Sequence, residues 1–316
     1  MFKNNKMRIL VLGGSGLVGK NLNDYVKTSS IDGVWLFASS KDADLTNYDE
    51  VARLFSTFQP THVINLAAYV GGLYKNMDEG VEFFTKNMLI NVNVMKASFE
   101  AKVVKLISML STCIFPDKVN YPIVEEYLHD GPPHWSNEGY AYSKRLVDIL
   151  SRTYNKQHNT KFISVIPGNL YGKYDNFNLK DSHVIPALIH KCYISNKLSS
   201  NLVISGSGKP LRQFTYAIDI AKLLVWALEN YEDSQPIIFS SSEEYSITDV
   251  CDTICKCMKY TGEVVYDTSK EDGQYKKTVS NAKLQKLVDF KFTSLEDGIL
   301  DTVTWFNENY TNDIRK

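Results

Sequence analysis

A tyrosine and a lysine with helical spacing, Tyr140 and Lys144, are the first residues in this sequence that suggest chemistry. On a helix, residues i and i+4 lie on the same face, so both side chains can reach one bound ligand. A phenol has a pKa near ~10 and releases its proton poorly at neutral pH, whereas a neighbouring ammonium lowers that pKa. The pair therefore predicts acid–base chemistry in which Tyr140 exchanges a proton and Lys144 assists it.

A further candidate functional residue, Ser111, follows the β-rich run 103–109. Parallel sheets bind their ligands at the carboxyl ends of their strands. A hydroxyl at that point can donate a hydrogen bond to a carbonyl oxygen that becomes negative during a reaction. The alternative is a hydroxyl that only caps the strand end.

A glycine-rich loop lies between a predicted strand at 8–12 and a predicted helix at 18–27. Gly13 permits a sharp exit from the strand, Gly16 lets a pyrophosphate approach the bare backbone, and Gly19 lets the helix pack closely on the sheet. The pyrophosphate would lie on the free N–H groups of the helix N-terminus. The loop therefore predicts a dinucleotide-binding site. Its residues are Gly13, Gly14, Ser15, Gly16, Leu17, Val18 and Gly19.

The loop after the second predicted strand indicates which dinucleotide is bound. Enzymes that use NAD usually place Asp or Glu there, but the sequence has Ser39, Ser40 and Lys41. Two hydroxyls and an ammonium suit a 2′-phosphate, so we predict NADP, and the alternative is a solvated loop. Asp44 is expected near the adenine. The segment Leu66, Ala67 and Ala68 ends the next strand with small residues that let the backbone come close to the cofactor.

These groups need a scaffold, and strand-like and helix-like segments alternate along the first half of the chain. Such alternation predicts a parallel sheet with helices on both faces, that is, a doubly wound α/β fold of the Rossmann type. We expect domain 1–172 to bind the cofactor and 173–316 to form a smaller substrate-binding lobe that returns in places to the main sheet. The predicted strands are 8–12, 33–38, 62–66, 103–109 and 162–166, and the predicted helices are 18–27, 48–58, 87–100 and 140–157.

Composition excludes several classes of protein. A formal net charge of −1 gives no global attraction to nucleic acid or to an anionic membrane. No stretch approaches the ~18 uninterrupted apolar residues of a membrane span, and the first residues lack the apolar run of a signal peptide. Five cysteines in 316 residues argue against a disulfide framework, so we expect a cytoplasmic protein. Cys251, Cys255 and Cys257 lack further ligands nearby, so we expect helix thiols and no metal.

Beyond these motifs, the chain resembles the GDP-L-fucose synthase family of extended short-chain dehydrogenases from about residue 7 to the final helix. Cys113 two places after Ser111, combined with His183, is the narrowest part of the resemblance. The similar segments are GGSGLVG (13–19), SSKDADL (39–45), PTHVI (60–64), VGGL (70–73), STCIFPDK (111–118), DNFN (175–178) and HVIP (183–186).

The resemblance implies a reaction on GDP-4-keto-6-deoxy-D-mannose, in which C3 and C5 flank a C4 ketone and have acidified protons. It implies that Cys113 is the base and His183 the acid that invert these centres, and that Ser111 and Tyr140 stabilise the enolate oxygen. NADPH then reduces C4 while Tyr140 protonates the alkoxide. Because a free thiol has a pKa near ~8.5, local positive charge must help Cys113, and Lys144 is a candidate.

The resemblance also implies further ligand contacts and a homodimer formed by the helices around 87–100 and 140–157. Lys144 and His183 are expected at the cofactor, together with Pro167, Asn169 and Leu170. Lys191, Arg212 and Ser280 are expected at the GDP-sugar. The chain departs from the family at Gly168, where Thr is usual and Gly is expected to loosen the loop, at Ser205, where Trp is frequent, and at Ser280, where bacterial relatives carry Asp.

Two alternatives remain open at this stage. The chain could be another extended dehydrogenase acting on a nucleotide sugar, such as a 4-epimerase or a 4,6-dehydratase. A 4-epimerase would not need Cys113 and His183, and a dehydratase typically has acidic residues where this chain has Thr112 and Cys113. The second alternative is an NADP-binding sensor without catalysis, against which the retention of Ser111, Tyr140 and Lys144 argues.

Overall fold

The computed structural model describes residues 6–270, 272, 276–312, 314 and 315. The predicted domain 1–172 therefore begins with five residues outside the described part, and these include most of the segment used to judge the signal peptide. The predicted domain 173–316 includes positions 271, 273–275, 313 and 316, which also lie outside it. The division between residues 172 and 173 stays a prediction.

Strands and helices alternate through the first half of the chain, as expected. The strands are β1 (Arg8–Leu12), β2 (Val34–Ala38), β3 (His62–Asn65), β4 (Lys105–Met109), β5 (Phe162–Pro167), β6 (Asn169–Tyr171), β7 (Leu202–Ser205), β8 (Leu211–Arg212), β9 (Phe214–Tyr216), β10 (Ile237–Phe239), β11 (Tyr245–Ser246) and β12 (Val264–Asp267). The helices are α1 (Leu17–Thr28), α2 (Tyr48–Phe58), α3 (Leu73–Asp78), α4 (Gly80–Glu100), α5 (Glu138–His158), α6 (Val184–Leu198), α7 (Ala217–Asn230), α8 (Ile247–Met258), α9 (Ala282–Leu287) and α10 (Leu295–Asn309).

Six strands form one parallel sheet in the order β10-β5-β4-β3-β1-β2. The predicted doubly wound α/β fold is therefore confirmed. The strand order reverses between β1 and β3, and at such a point the loops leaving the two strands diverge and open a crevice. β10 joins the sheet beside β5 although it lies in the second half of the chain.

Both faces of the sheet are covered, which explains why its strands are nearly continuous apolar runs. Successive side chains of a strand point to opposite faces, so Leu10 and Leu12 of β1 pack in the core with α2, α4 and α5. Ile9 and Val11 pack in the opposite core with α1 and α7. A third core unites α6, α8 and α10 with short two-stranded sheets.

Several boundaries differ from the predicted ones. α4 begins at Gly80, seven residues before the predicted start at 87. A glycine start and exposed apolar side chains, such as Val81, hide the helical pattern of its first two turns. α3 was not predicted, because a six-residue helix is too short for a clear periodicity. Among the described residues, no helix is both long and apolar enough to cross a lipid bilayer.

Candidate active site

A cavity of about 1260 Å³ opens at the carboxyl edge of the main sheet, where the strand order reverses. Most of the residues predicted from the sequence line it, from the glycine loop at one side to Tyr140 and His183 at the other. Those in its wall are Gly13, Ser15, Gly16, Leu17, Val18, Gly19, Ser39, Ser40, Asp44, Leu66, Ala67, Ala68, Ser111, Tyr140, Pro167, Asn169, Leu170, His183 and Arg212.

The glycine loop has the geometry of a pyrophosphate-binding site. Gly13 has a φ of +80°, and a Cβ on it would lie 2.9 Å from the backbone nitrogen of Ala67. A Cβ on Gly19 would lie 2.5 Å from the carbonyl oxygen of Gly13, so α1 can approach the sheet only with glycine there. Gly16 caps α1 without any side-chain hydrogen bond to the first turn. The N–H groups of that turn can therefore bind an anion in the cavity, and the loop fits a dinucleotide.

The loop after β2 forms the end of the cavity where the adenosine would lie. Ser39 and Ser40 line it, whereas Lys41 does not. The Ser39 hydroxyl donates to the Asp42 carboxylate at 2.8 Å, and the Asp44 carboxylate accepts from the backbone N–H of Thr46 at 2.9 Å. Ser40 lines the cavity, and the carboxylates of Asp42 and Asp44 already accept hydrogen bonds within the loop, so the loop fits a 2′-phosphate better than a bare 2′-hydroxyl.

Ser111 and Tyr140 reach the opposite end of the cavity from different elements. Ser111 follows β4, where its hydroxyl accepts a 3.4 Å hydrogen bond from the backbone N–H of Cys113. Tyr140 lies in the first turn of α5, and its ring meets Phe83 of α4 edge-on, with 6.2 Å between the centroids. Both groups can therefore donate to one carbonyl oxygen bound in this part of the cavity.

Lys144 lies one turn after Tyr140 and is buried. Its ammonium donates to the carbonyl oxygen of Met109 at 3.0 Å, and burial lowers the pKa of Lys144 to about 8. Burial, and then negative charge on Cys113, raises the pKa of Tyr140. The structure does not show the expected lowering of the Tyr140 pKa by Lys144, because burial of the phenol sets the direction of the shift.

Cys113 lies beside Ser111 in a short 3-10 turn, Thr112–Ile114, just outside the cavity wall. Burial raises the pKa of its thiol, and positive charge on Lys277, the hydrogen bond with Ser111 and positive charge on Lys144 act in the opposite direction. Lys277 has the largest of these lowering effects, and no pattern in the sequence singles it out from the neighbouring Lys276.

His183 lies in the cavity wall as the residue before α6, and its side chain does not cap that helix. Burial lowers the pKa of its imidazole. When protonated it is therefore a stronger acid than an exposed histidine, which suits a proton donor.

Some of the residues predicted to bind the cofactor or the substrate, or to take part in catalysis, are not part of the cavity wall. Gly14, Lys41, Cys113, Lys144, Lys191 and Ser280 lie outside it. The Lys191 ammonium is 3.5 Å from the carbonyl oxygen of Val203, and the Ser280 hydroxyl accepts from the backbone N–H of Ala282 at 3.2 Å. Arg212 lines the cavity and donates to the carbonyl oxygen of Leu211 at 2.7 Å. The substrate contacts of Lys191, Arg212 and Ser280 stay predictions.

Asp175, a cavity residue whose function the sequence did not indicate, belongs to the DNFN segment. It is buried, its Oδ1 accepts from the backbone N–H of Asn176 at 2.7 Å, and burial raises its pKa to about 7. Gly168 also differs from expectation. A Cβ there would lie 2.5 Å from the Ser240 hydroxyl, so this loop is closely packed and not loosened.

In the part of the chain that the structure describes, no three His, Cys, Asp or Glu side chains are placed to bind one metal ion. Cys251, Cys255 and Cys257 lie on α8, as expected for thiols of one helix. Cys192 of α6 joins Cys251 and Cys255 in the third core.

Comparison with known proteins extends the geometric result. The sequence profile of the NAD dependent epimerase/dehydratase family matches residues 9–245. A GDP-L-fucose synthase from Dictyostelium discoideum is 53% identical over 309 residues, which cover 96% of this chain and 97% of the relative. A probable GDP-L-fucose synthase from Drosophila melanogaster is 48% identical over 314 residues, with 96% and 98% covered.

Among solved structures, the chain is similar to a GDP-L-fucose synthetase from Naegleria fowleri bound to NADP. The TM-score is 0.95 at 48% sequence identity, and the alignment covers 100% of this chain and 96% of that one. A GDP-mannoheptose C4 reductase from Campylobacter jejuni with NADP bound has a TM-score of 0.86 at 26% identity, with 96% and 99% covered.

Proposed function

The chain belongs to the NAD dependent epimerase/dehydratase family, and within it we propose that this protein is an NADP-dependent GDP-L-fucose synthase. It converts GDP-4-keto-6-deoxy-D-mannose to GDP-L-fucose by inverting C3 and C5 and reducing the C4 ketone. One observation carries the proposal. The cavity that the glycine loop lines also contains Ser111, Tyr140 and His183 in its wall, and the Cys113 thiol lies beside Ser111.

Cys113 and His183 perform the inversion. The two carbons are inverted in separate steps, in each of which the thiolate removes the proton from C3 or C5 and the imidazolium delivers a proton to the opposite face of the same carbon. The raised pKa of Cys113 makes its thiolate a stronger base, and the lowered pKa of His183 makes its imidazolium a stronger acid. Ser111 and Tyr140 donate hydrogen bonds to the C4 oxygen, on which the negative charge of the enolate collects.

Tyr140 completes the reduction. When bound, NADPH supplies the hydride for C4. Tyr140 then gives its proton to the C4 oxygen, and its raised pKa means that the phenol is still protonated when the alkoxide forms. Lys144, fixed to the carbonyl oxygen of Met109, presents its ammonium to the cofactor ribose from the same helical face as Tyr140.

The diphosphate of the substrate needs cationic donors at the rim of the cavity. Arg212 lies in the cavity wall, where a guanidinium can donate to two phosphate oxygens at once. Lys191 and Ser280 would contact the nucleotide only after a change of side-chain conformation or on closure around the substrate. The protein acts in the cytoplasm as a homodimer through α4 and α5, on which Val81, Leu89 and Ile149 are exposed.

One assay tests the reaction directly. The purified protein is mixed with NADPH and GDP-4-keto-6-deoxy-D-mannose in D₂O, and the product is identified by mass spectrometry and NMR. We expect GDP-L-fucose with deuterium at C3 and C5. A reduced sugar that keeps the original configuration at both carbons would contradict the proposal and indicate a simple reductase.

The adenosine end of the cavity predicts a preference for NADPH. Because hydrogen bonds to a charged group contribute about 1.5–3 kcal/mol, kcat/KM with NADPH should exceed that with NADH by roughly 10- to 100-fold. Ser40→Asp should remove the preference, since a carboxylate repels the 2′-phosphate. Ser56→Asp adds the same charge on the exposed side of α2 and should leave the ratio unchanged. Equal kcat/KM values for both cofactors in the unaltered protein would refute the assignment.

A further inference from the structure

An extended segment after β12, residues 276–280, is held tightly against the active-site region. The backbone N–H of Ile123 donates to the carbonyl oxygen of Thr278 at 2.8 Å, and that of Ser280 donates to Ile123 at 2.7 Å. The buried Gln213 amide makes two further bonds to Val279, accepting from its N–H at 2.8 Å and donating to its carbonyl oxygen at 3.0 Å. Gln213 follows Arg212, so the segment is fixed beside the expected diphosphate site.

The two lysines of this segment face opposite sides. The Lys276 ammonium pairs with Glu244 at 2.9 Å, and the Thr278 hydroxyl also donates to Glu244. Because side chains alternate along an extended backbone, Lys277 points the other way, on the side of Val279, which is buried in the core cluster against which Cys113 packs. The alternation directs Lys277 toward Cys113, whereas the half-buried Lys276 is paired with Glu244 on the other side.

Lys277 has no hydrogen bond or ion pair with any residue that the structure describes. Its charge acts most strongly on Cys113, then on Arg212 and Asp117, and burial lowers its pKa. A partly desolvated ammonium is destabilised unless an anion lies nearby, and Lys277 is half-buried. Its strongest electrostatic partner is the sulfur of the proposed base, whereas Arg212 can only repel it.

We propose that Lys277 is a positioning residue of the epimerisation, whose ammonium beside Cys113 stabilises the thiolate that removes the protons from C3 and C5. This inference rests on the proposed function for its chemical meaning. It deepens that function, because Lys277 lies far along the chain from the segment 111–118 that contains Cys113.

The other charged groups that act on Cys113 come from α5 and are occupied elsewhere. Lys144 donates to the carbonyl oxygen of Met109 at 3.0 Å. Arg145 donates to the carbonyl oxygens of Ile114 and Gly131, the latter at 2.7 Å. Tyr140 is neutral, since its pKa is raised. Lys277 is therefore the cation that is available to stabilise the negative charge of the Cys113 thiolate each time it forms.

The test measures how fast iodoacetamide alkylates Cys113 as a function of pH, by mass spectrometry of the peptide that contains it, without any substrate. Lys277→Met keeps most of the side-chain volume and removes the charge, and we expect the midpoint of alkylation to rise by about one pH unit or more. Lys277→Arg should restore the midpoint, and Lys276→Met, on the other side of the segment, should leave it in place. NADPH binding reports whether each variant is folded.

A second measurement uses GDP-4-keto-6-deoxy-D-mannose and follows deuterium uptake at C3 and C5. We expect Lys277→Met to lower the turnover number about tenfold or more at neutral pH, with little change in KM and with partial recovery at high pH. An unchanged alkylation midpoint would overturn the inference, and a raised KM with that midpoint unchanged would assign Lys277 to substrate binding instead. If the unaltered protein failed to turn over this sugar, the proposed function would fail while the alkylation result still decided the pairing.

Discussion

Replacement of Cys113 by serine should abolish the inversion at C3 and C5 while leaving the binding of NADPH intact. Cys113 is not part of the cavity wall that would contact the cofactor. Its replacement therefore removes a base without disturbing the glycine loop that would bind the dinucleotide. A serine hydroxyl is far less acidic than a thiol and forms almost no alkoxide at neutral pH. Because general-base catalysis contributes roughly 100- to 10,000-fold, deuterium uptake at both carbons should fall by that factor, as measured by NMR.

The matched control for this variant is Cys257→Ser on α8, which makes the same chemical change in a different part of the molecule. It should exchange deuterium at the rate of the unaltered protein. Titration of each variant with NADPH, followed by fluorescence, separates loss of chemistry from loss of folding. Unchanged deuterium uptake in Cys113→Ser would show that another group removes the protons.

The fold was predictable because its signals are local. β1 is a short apolar run, Gly13 to Gly19 is a contiguous motif, and α5 contains Tyr140 and Lys144 within two turns. Each of these features lies within about twenty residues, where periodicity and turn chemistry operate. The order of the strands then follows from the few topologies that right-handed crossovers permit.

The site was predictable only where it is built from such local motifs. Lys277 acts on Cys113 across more than 160 positions of the chain, through a segment that Gln213 and Ile123 hold in place, and no pattern along the sequence encodes that approach. The pKa of Tyr140 was expected to be low from its helical neighbour Lys144. Its direction is set by burial, which depends on the whole fold.

The same limit applies to Gly168, which the sequence alone suggested would loosen its loop. The close contact that a Cβ would make with Ser240 comes from the sheet neighbour of β5, since Ser240 directly follows β10. Gly168, which in the sequence suggests the loss of a side-chain contact, is therefore required by the packing of this loop. Whether a departure from a motif weakens a site depends on the residues that pack against it.

Replacement of Tyr140 by phenylalanine should separate the two halves of the reaction. Reduction of C4 needs a proton for the C4 oxygen, and the phenol of Tyr140 is the group placed to give it. Its loss should slow the oxidation of NADPH by roughly 100- to 10,000-fold. Deuterium uptake at C3 and C5 should fall much less, because Ser111 still donates to the enolate oxygen and Cys113 still removes the protons.

The pH dependence of C4 reduction tests the same function of Tyr140. The protonated phenol is the active form, and a raised pKa keeps it protonated to higher pH, so reduction by the unaltered protein should not decline through mildly alkaline pH on account of Tyr140. Tyr142→Phe, on the same helix but against Arg145, removes an identical hydroxyl and should retain the normal rate. Equal losses of NADPH oxidation and deuterium uptake in Tyr140→Phe would mean that the phenol serves the enolate rather than the alkoxide, and that a different group protonates the C4 oxygen.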